Sequence, residues 1–407
     1  MSTARRGGQP LNSSEPLRVA HLLVQAEVDG IGLHVLDLAR AQRNQGSVDP
    51  LIFTSPSDEY RHLLSEAGVP VVGGRGVRFA PALRRYARLD LAGCGVDLIH
   101  IHGFRMSHLL PFLRMLRPDF RRPPIVATCH GLLQGTLRQS ARTSLELQSY
   151  RWIRLLMTSS VEQALRVSSV LPGLSVRYVP NGVSLPAQKA DCAIDRGADP
   201  GAESDLRARF GFPADAELVA AIGRLAPEKR VDLFLEACRL IQLERPDAFF
   251  LVVGEGRERR ALERLACRYG LASRVRFTGM VNDVPELCRR ISLLLHCADT
   301  EGTPRAVLHA MGAGVPVVAR AVGGIPEMIA DGAEGMLVPN ADPRAMADRA
   351  VWLLTDSVER LAMGRRARHR VRADFTIELM CKRVEEAYRH ALMASEIHST
   401  AATELSR

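Results

Sequence analysis

Short apolar runs alternate with amphipathic helical stretches along most of this chain of 407 residues. The alternation occurs twice, with six runs in each half, and apolar strands spaced by helices are typical of parallel sheets covered on both faces. The sequence therefore predicts an α/β fold with two Rossmann-like domains. The predicted strands are 17–25, 49–54, 69–72, 97–102, 124–129 and 175–179 in the first half, and 217–222, 248–253, 274–278, 291–296, 315–319 and 335–338 in the second.

A segment without periodicity separates the two halves. Residues 186–203 are rich in Ala, Asp, Gly and Pro, and they follow the turn-forming sequence Val179-Pro-Asn-Gly182. Helical patterns from Val351 to about Ala394 predict C-terminal helices that return toward the first domain. The predicted organisation is a disordered tail over 1–16, an N-terminal domain over 17–184, a linker over 185–210, a C-terminal domain over 211–372, and a C-terminal helix and tail over 373–407.

The composition is that of a globular protein, with 46% hydrophobic and 24% charged residues and no apolar run long enough to cross a bilayer. The eight cysteines are scattered without a Cys-x-x-Cys pair, which supports neither a disulfide framework nor a zinc site. We therefore expect a cytoplasmic protein without a bound metal.

The net charge of +9 comes from the first half of the chain, where residues 1–184 hold 22 Arg against 13 acidic residues, while 185–407 hold 32 of each sign. The arginines recur on helical stretches with apolar faces, at 78–88 and at 104–117 with Arg121 and Arg122 after it. Such stretches are able to rest on anionic lipid headgroups, which would associate the protein with the inner face of the membrane. Ordinary solvated faces are the alternative, and nucleic acid is disfavoured because no aromatic platform accompanies the charge.

Two cations follow the predicted strand 217–222, in the sequence Gly223-Arg224-Leu-Ala-Pro-Glu-Lys229. Lys229 is unusual in a chain with 51 arginines and only three lysines. Open α/β sheets bind ligands at the carboxyl ends of their strands, so Arg224 and Lys229 predict a diphosphate site. The alternative is a surface salt bridge of either cation with Glu228 or Asp232.

A second candidate loop, Glu301-Gly-Thr-Pro-Arg305, follows the predicted strand 291–296. Gly302 allows close backbone approach, Thr303 is able to cap a helix, and Pro304 suits the first helical turn. A helix N-terminus that attracts an anion is therefore expected here. The alternative for Glu301 is an acidic residue that merely offsets the helix dipole.

These loops resemble the donor half of glycosyltransferase family 4. The resemblance is carried by Gly223-Arg224-Leu with Glu228-Lys229, Val253-Gly-Glu-Gly256, Phe277-Thr-Gly279, the Glu301 loop, Ala310-Met-Gly-Ala-Gly-Val-Pro-Val-Val318 and Gly323-Gly-Ile-Pro-Glu327. In the first half, Asp29-Gly-Ile-Gly32-Leu-His34, Thr128-Cys-His130-Gly131 and Val179-Pro-Asn-Gly182 resemble the family more loosely. The resemblance implies the GT-B fold, in which two Rossmann-like domains face each other across a deep interdomain cleft.

The resemblance also implies the reaction, which is retaining transfer of a sugar from a nucleotide-diphospho-sugar without a metal or other cofactor. The acceptor would be a lipid-linked or cell-surface glycan. The implied catalytic residues are Arg224, Lys229, Glu301 and His130, and the implied donor-binding residues are Gly30, Gly32, Gly223, Gly302, Thr303, Pro304, Arg305 and His309. On this interpretation the departing phosphate accepts the proton of the acceptor.

At one position the chain departs from the family pattern, which has a second glutamate eight residues after the first to hold the ribose hydroxyls. This chain has His309 there. An imidazole still forms a hydrogen bond with one hydroxyl but lacks the two oxygens of a carboxylate. We therefore expect weaker nucleotide binding or a different hold on the ribose.

The candidate residues of the first half have plainer alternatives. Gly30 and Gly32 suit a tight turn after the first strand as well as a phosphate loop. His130 ends a predicted strand and lies next to Gly131, but a buried structural histidine is the other interpretation. His100 and His102 alternate on one strand, so at least one of them is expected to be a packing residue.

Two other functions compete with sugar transfer. A nucleotide-sugar epimerase would share the architecture, but no pair of acid and base carboxylates stands out in the first half of the sequence. A catalytically degenerate partner that binds a nucleotide sugar would be consistent with His309. No Ser/His/Asp triad, metal-ligand spacing or P-loop sequence is found.

Overall fold

The structure, a computed structural model, describes residues 15–24, 29–72, 93–116, 120, 123–131, 137–185 and 206–404. The chain divides into two compact units. Unit 1 comprises Met1–Asn181 together with Ile377–Arg407, and unit 2 comprises Gly182–Thr376. The predicted helical stretch 78–88, the basic residues Arg117, Arg121 and Arg122, and most of the predicted tail and linker (1–14 and 186–205) lie outside the described residues.

Unit 1 contains a parallel sheet with the strand order β3-β2-β1-β4-β5-β6-β7. The strands are β1 (Leu17–Leu22), β2 (Val48–Phe53), β3 (Val71–Val72), β4 (Leu98–His102), β5 (Ile125–Cys129), β6 (Leu155–Thr158) and β7 (Ser175–Tyr178). The chain leaves β1 in one direction toward β2 and β3 and then returns to the other side of β1 through β4. The switch point of this sheet therefore lies between β1 and β4.

The prediction of six strands in the first half is wrong, because the described residues of unit 1 form a sheet of seven strands. The additional strand is β6. Its apolar part, Leu155 to Met157, is only three residues long, which is too short for a periodicity signal. All four β6 residues are buried between β5 and β7, so pairing with these neighbours makes the segment a strand.

The helices described in unit 1 are α1 (Gly30–Gln45), α2 (Asp58–Glu66), α3 (Phe104–Leu116), α4 (Leu137–Ser149), α5 (Val161–Val170) and α14 (Ile377–Glu404). The apolar residues of α14 recur at helical spacing and pack against β1, β5 and β6 in one buried cluster; they are Ile377, Met380, Cys381, Val384, Ala387, Tyr388 and Ala391. The last helix thus completes the core of unit 1, and the predicted return of the chain to the first domain is confirmed.

Unit 2 contains a parallel sheet with the strand order β10-β9-β8-β11-β12-β13. The strands are β8 (Glu217–Ile222), β9 (Ala248–Val253), β10 (Val275–Gly279), β11 (Leu293–His296), β12 (Val317–Arg320) and β13 (Met336–Val338). The helices are α6 (Leu206–Phe210), α7 (Val231–Glu244), α8 (Arg259–Arg268), α9 (Val284–Cys288), α10 (Arg305–Gly312), α11 (Ile325–Met328), α12 (Pro343–Thr355) and α13 (Ser357–Asp374). All six predicted strands of the second half are present.

Two buried hydrophobic clusters cover the two faces of the unit 2 sheet. Side chains of β9 alternate between them, since Phe250 and Val252 belong to one cluster and Leu251 and Val253 to the other. A parallel sheet buried on both faces leaves its strand ends as the places where polar side chains reach solvent. The switch point between β8 and β11 is such a place.

Candidate active site

The predicted cations and the predicted carboxylate lie at the switch point of the unit 2 sheet. Arg224 follows β8, and Glu301 lies in the loop after the neighbouring strand β11. Gly223, Arg224, Lys229 and His296 line one pocket at this edge. Ligands bind at such switch points in open α/β sheets, so the edge is the first candidate for an active site in unit 2.

Close backbone contacts hold the loop after β8 in place. Gly223 N donates to Val253 O at 2.9 Å, and Leu225 N donates to Glu255 O at 2.9 Å. Gly254 has a positive φ of 129°, and a Cβ at this position would overlap with Gly223 O. A residue with a side chain at 254 would therefore push the Gly223 loop away from β9.

Arg224 lies on the surface of this edge. Its side chain is 68% exposed, and Nη2 donates to Glu228 Oε1 at 2.6 Å. The salt bridge with Glu228, which was the alternative to a phosphate contact, is thus present in the structure. Exposed pairs of this kind contribute little stability, so Arg224 is able to exchange Glu228 for an anionic ligand at small cost.

Lys229 contacts Glu301 directly. Lys229 Nζ donates a hydrogen bond to Glu301 Oε1, and the Glu301 side chain is only 9% exposed. His296, the last residue of β11, lies 2.9 Å from the same oxygen through Nε2 and is 6% exposed. Burial raises the pKa of Glu301, but Lys229 and the hydrogen bond from His296 outweigh burial and lower this pKa to about 2. Glu301 is therefore a carboxylate at neutral pH.

The Glu301 loop leads directly into α10. The helix begins at Arg305, with Pro304 as its N-cap in an extended conformation, and Pro304 forms no side-chain cap hydrogen bond. The expectation that Thr303 caps and that Pro304 lies in the first turn is therefore wrong by one position. Thr303 is instead buried at 2% exposure below the helix end. The N-terminus of α10 thus follows directly after the Glu301 loop, and a helix N-terminus attracts anions.

The loop after β12 packs on the Glu301 loop. Gly323 has a positive φ of 56°, and a Cβ there would overlap with Glu301 O. Gly324 N donates to Gly302 O at 3.0 Å. These contacts hold the backbone on both sides of the Glu301 side chain, so the carboxylate is fixed by the backbone as well as by Lys229 and His296.

His309 lies one turn into α10, on the same face as Arg305. Burial and the charge of Arg305 lower the pKa of His309 to about 3. The imidazole is therefore neutral at neutral pH and has one donor and one acceptor nitrogen. A neutral imidazole fits a single ribose hydroxyl, whereas the bidentate contact of a carboxylate is not available to it.

Unit 1 places its predicted residues differently. Gly30 and Gly32 do not form a tight turn, because α1 begins at Gly30 and Asp29 Oδ1 accepts from Gly32 N at 2.8 Å. The aspartate is an N-cap, so it occupies the N–H of Gly32 that a phosphate would use. His130 follows β5, and its Nε2 is buried.

His130 is close to two other histidines of unit 1. Its ring centroid lies 4.7 Å from that of His34 on α1 and 5.8 Å from that of His102 on β4. His100, also on β4, is fully buried and uses both ring nitrogens in hydrogen bonds, to Tyr388 at 2.7 Å and Thr128 at 2.7 Å. His100 is thus a packing residue of the kind that the alternation on β4 predicts.

Sequence reasoning missed His296 as a site residue. A histidine at the end of an apolar strand carried a signal, since an ionisable side chain at a buried strand end requires a partner. The partner, Glu301, is five residues further along the chain. The direction of the His296 side chain could not be predicted from the sequence, because its contact with Glu301 depends on the conformation of the loop between them.

Family models match both halves of the chain. The model of glycosyltransferase family 4 matches residues 28–185, and the model of glycosyl transferases group 1 matches residues 203–370. A phosphatidyl-myo-inositol mannosyltransferase of Mycolicibacterium smegmatis is 29% identical over 359 residues, which cover 86% of this chain and 87% of that protein. The chain is also similar to a GDP-mannose-dependent alpha-(1-6)-phosphatidylinositol monomannoside mannosyltransferase of the same organism. The two sequences are 31% identical over 274 residues, which cover 63% of this chain and 68% of that protein.

Solved structures share the fold over nearly the whole chain. Anabaena HepE in complex with UDP-glucose superposes with a TM-score of 0.75 at 20% identity, covering 92% of this chain and 100% of that one. Sucrose-phosphate synthase from Thermosynechococcus elongatus superposes with a TM-score of 0.74 at 20% identity, covering 93% and 100%. These similarities confirm the predicted GT-B fold.

The two Rossmann-like units, the loops at the switch point of unit 2 and these relatives define an enzyme that transfers a sugar from a nucleotide sugar. The chain belongs to glycosyltransferase family 4. The alternatives of an epimerase and of an inactive partner are not favoured, because the matched relatives are named as mannosyltransferases. Among the described residues, no helix combines the length and the apolar character needed to span a bilayer.

Proposed function

We propose that this chain is a retaining, metal-independent hexosyltransferase that moves a sugar from a nucleotide-diphospho-sugar to a lipid-linked acceptor. The observation that carries the proposal is the arrangement of Arg224, Lys229 and Glu301 at one switch point. The first donor to test is GDP-mannose, because a similar mannosyltransferase is named as dependent on it. No cofactor is proposed, since the nucleotide sugar is a co-substrate.

Arg224 and Lys229 are proposed to stabilise the leaving nucleoside diphosphate. The diphosphate gains negative charge as the glycosidic bond breaks, so cations fixed in advance lower the barrier. A unit charge pair at ~4 Å in a medium of effective dielectric near 20 is worth about 4 kcal/mol before desolvation. Two cations therefore supply the kind of stabilisation that a metal ion supplies in other transferases.

Glu301 and the N-terminus of α10 are proposed to hold the donor sugar and its phosphate. A buried carboxylate with a pKa near 2 accepts hydrogen bonds from sugar hydroxyls at any physiological pH. The N–H groups at the start of α10, from Arg305 onward, would donate to phosphate oxygens together with those of Gly302 and Thr303, while Pro304, which has no N–H, would contact the donor without donating. Neutral His309 is proposed to bind one ribose hydroxyl, while Gly223 lets the nucleotide approach the backbone.

His130 is proposed as a further catalytic residue, on the resemblance of its loop to the family.

The transfer is proposed to retain the anomeric configuration of the donor sugar. No described carboxylate of unit 1 stands out as a general base, which supports front-face transfer, in which a phosphate oxygen accepts the proton of the acceptor hydroxyl. Gly30 and Gly32 remain proposed donor contacts only through the family resemblance, since Asp29 caps the N–H of Gly32.

The acceptor is proposed to lie at the inner face of the membrane. Four large apolar side chains of unit 1 are exposed at and beside the end of α3, and we propose that they form one patch: Phe112 (46% exposed), Met115 (67%), Leu116 (53%) and Trp152 (48%). Arg114 Nη1 donates to Trp152 O at 3.0 Å, which places the end of α3 next to Trp152. Apolar side chains framed by arginine suit the boundary between anionic headgroups and acyl chains.

The membrane contact is tested by sedimentation with vesicles. We expect binding to vesicles that contain phosphatidylglycerol, little binding to pure phosphatidylcholine, and weaker binding after Trp152→Ser with Met115→Ser. Leu361→Ser, which removes an exposed leucine of unit 2 (55% exposed), is the matched control. Equal binding of all variants, or of both vesicle types, would argue against the patch.

The reaction is tested by incubating the purified chain with GDP-mannose and, separately, UDP-glucose, in the presence of EDTA and a phosphatidylinositol acceptor. Transfer that persists in EDTA and yields the donor's anomeric configuration by NMR supports the proposal. An inverted product would overturn retention, and a rate restored only by Mg²⁺ would overturn metal independence. Hydrolysis of a donor without acceptor, even if slow, would still distinguish an enzyme from a binding partner.

A further inference from the structure

Five histidines gather at the switch point of the unit 1 sheet. They are His21 on β1, His34 on α1, His100 and His102 on β4, and His130 after β5. His21, His34, His100 and His102 are all at most 3% exposed. Burial lowers the pKa of His21 and of His130 to about 4 and the pKa of His100 and His102 well below the ordinary value. His21, His100, His102 and His130 are therefore neutral imidazoles at neutral pH, each with one nitrogen lone pair.

A hydrogen-bond chain sets the tautomer of His102. Gln42 Nε2 donates to the Tyr388 hydroxyl at 3.3 Å, which leaves Gln42 Oε1 to accept from His21 Nε2 at 3.0 Å. His21 Nδ1 then lacks a proton and accepts from His102 Nε2 at 3.0 Å. The consequence is that His102 carries its proton on Nε2 and its lone pair on Nδ1. That Nδ1 atom is buried and has no hydrogen-bond partner among the described residues.

His130 presents a second nitrogen of this kind. Its Nε2 atom is buried, and the described residues offer it no hydrogen-bond partner. His34 completes a trio with His102 and His130, because one ring nitrogen of each lies within 4.8 Å of the other two. Buried polar atoms without partners are rare in proteins, and two of them in one trio point to a ligand that binds there.

The neighbouring trio of His21, His100 and His102 has a different character, although its nitrogens are equally close. Both nitrogens of His21 and both nitrogens of His100 are already in hydrogen bonds to other side chains. These residues act as the outer shell, since histidines that bind metals usually donate their second N–H to such a partner. His21 provides that partner for His102.

We propose that His34, His102 and His130 form a binding site for one Zn²⁺-class transition metal ion. Neutral imidazole nitrogens suit Zn²⁺, Cu²⁺ and Ni²⁺, and three of them leave a fourth position open. With Zn–N bonds of about 2.0–2.1 Å, the nitrogens of a tetrahedral site lie about 3.4 Å apart. The trio, now within 4.8 Å, reaches this spacing by small side-chain rotations.

The site would be inhibitory and would not take part in sugar transfer. A metal ion bound to His130 occupies its lone pair, so His130 is no longer available to a substrate. This consequence rests on the proposed function, in which His130 is a catalytic residue. The metal site itself does not depend on that proposal, because binding of the ion is measured without any sugar donor.

The test is calorimetric titration of the metal-free full-length chain with Zn²⁺ alone. We expect one ion per chain, and the variant His102→Gln is expected to weaken its binding by roughly 100-fold. Glutamine keeps an N–H for His21 but lacks the imidazole lone pair. His34→Gln is the second variant, in case His102→Gln does not fold, and circular dichroism checks the fold of each. His62→Ala, which removes a surface histidine with a side chain 75% exposed, is the matched control and should bind like the wild type.

Two further readouts separate the outcomes. Co²⁺ bound by three imidazoles should give the visible absorption of a tetrahedral ion in the wild type and in His62→Ala, and none in the two glutamine variants. No stoichiometric Zn²⁺ binding, or equal binding by all variants, would overturn the site. Stoichiometric binding that leaves the transfer rate unchanged would keep the site and overturn only its inhibitory role. Absence of transfer from any donor even after chelation would count against the proposed function alone.

Discussion

Lys229 Nζ donates a hydrogen bond to Glu301 Oε1, across 72 residues of sequence. The two residues follow neighbouring strands, β8 and β11, whose carboxyl ends meet at the switch point of the sheet. The pair joins one of the two cations proposed for the diphosphate to the carboxylate proposed for the sugar. A substitution at either residue therefore changes the surroundings of the other.

Removal of either cation should slow transfer. We expect Lys229→Ala and Arg224→Ala to lower kcat/KM by roughly 100-fold each, because each removes a charge partner of the leaving diphosphate. Initial rates with the preferred donor measure the effect. Arg264→Ala, a surface change on α8, is the control and should be silent. Unchanged rates in both cation variants would refute the phosphate site.

Substitutions in the Lys229–Glu301 pair should affect the stability of the protein and its activity differently. Lys229→Met leaves the Glu301 carboxylate buried without its cation, which should cost about 1–3 kcal/mol of stability by urea unfolding. The double variant Lys229→Met with Glu301→Gln removes the charge as well and should regain part of that loss. Activity should stay low in both variants. A double variant less stable than Lys229→Met would contradict the assigned coupling.

His296 is expected to position Glu301 and to keep it charged. Its hydrogen bond is one of the interactions that lower the pKa of Glu301 to about 2, so His296→Phe should raise that pKa. The acid limb of the pH–rate profile should then move to higher pH and kcat should fall. His296→Gln retains a donor and should restore the profile in part. A profile that does not move in His296→Phe would exclude this role.

Gly254 should tolerate no side chain. Gly254→Ala places a methyl group on Gly223 O at a φ of 129°, so the loop that carries Arg224 must shift. We expect nucleotide affinity, measured by calorimetry, to fall together with a stability loss of about 1–3 kcal/mol. Gly173→Ala is the matched control, because its Cβ would meet no atom within 4 Å. Wild-type affinity in Gly254→Ala would show that the loop is not constrained as described.

The buried histidines should make unit 1 sensitive to acid. The pKa of His21 is lowered from 6.5 to about 4, so the unfolded chain binds a proton in this range before the folded chain does. The contribution of His21 to the free energy of unfolding is fully present above pH 6.5. It is lost as the pH falls toward 4, by roughly 3 kcal/mol for a pKa shift of this size. His21→Gln should flatten the dependence of the unfolding midpoint on pH. The exposed His62→Gln should leave it as steep as in the wild type.

Local sequence patterns determined most of the fold. Strands β8 and β9 have their predicted bounds. A strand buried on both faces of a parallel sheet is a contiguous apolar run, which is recognisable from the sequence alone. The prediction failed at β6, where three apolar residues carry too little periodicity and the pairing of β6 with β5 and with β7 decides the conformation. The Arg224–Lys229 stretch and the Glu301 loop were equally visible, since both follow such strands.

Contacts between distant residues were decided only by the tertiary structure. The sequence placed Lys229 and Glu301 at strand ends, but their hydrogen bond exists because β8 and β11 are neighbours. The same holds for His34, His102 and His130, which come from α1, β4 and the end of β5 and meet where the strand order of unit 1 reverses. Periodicity encodes which residues face the core, whereas the partner of a polar side chain depends on which strands lie side by side, and that is a property of the whole fold.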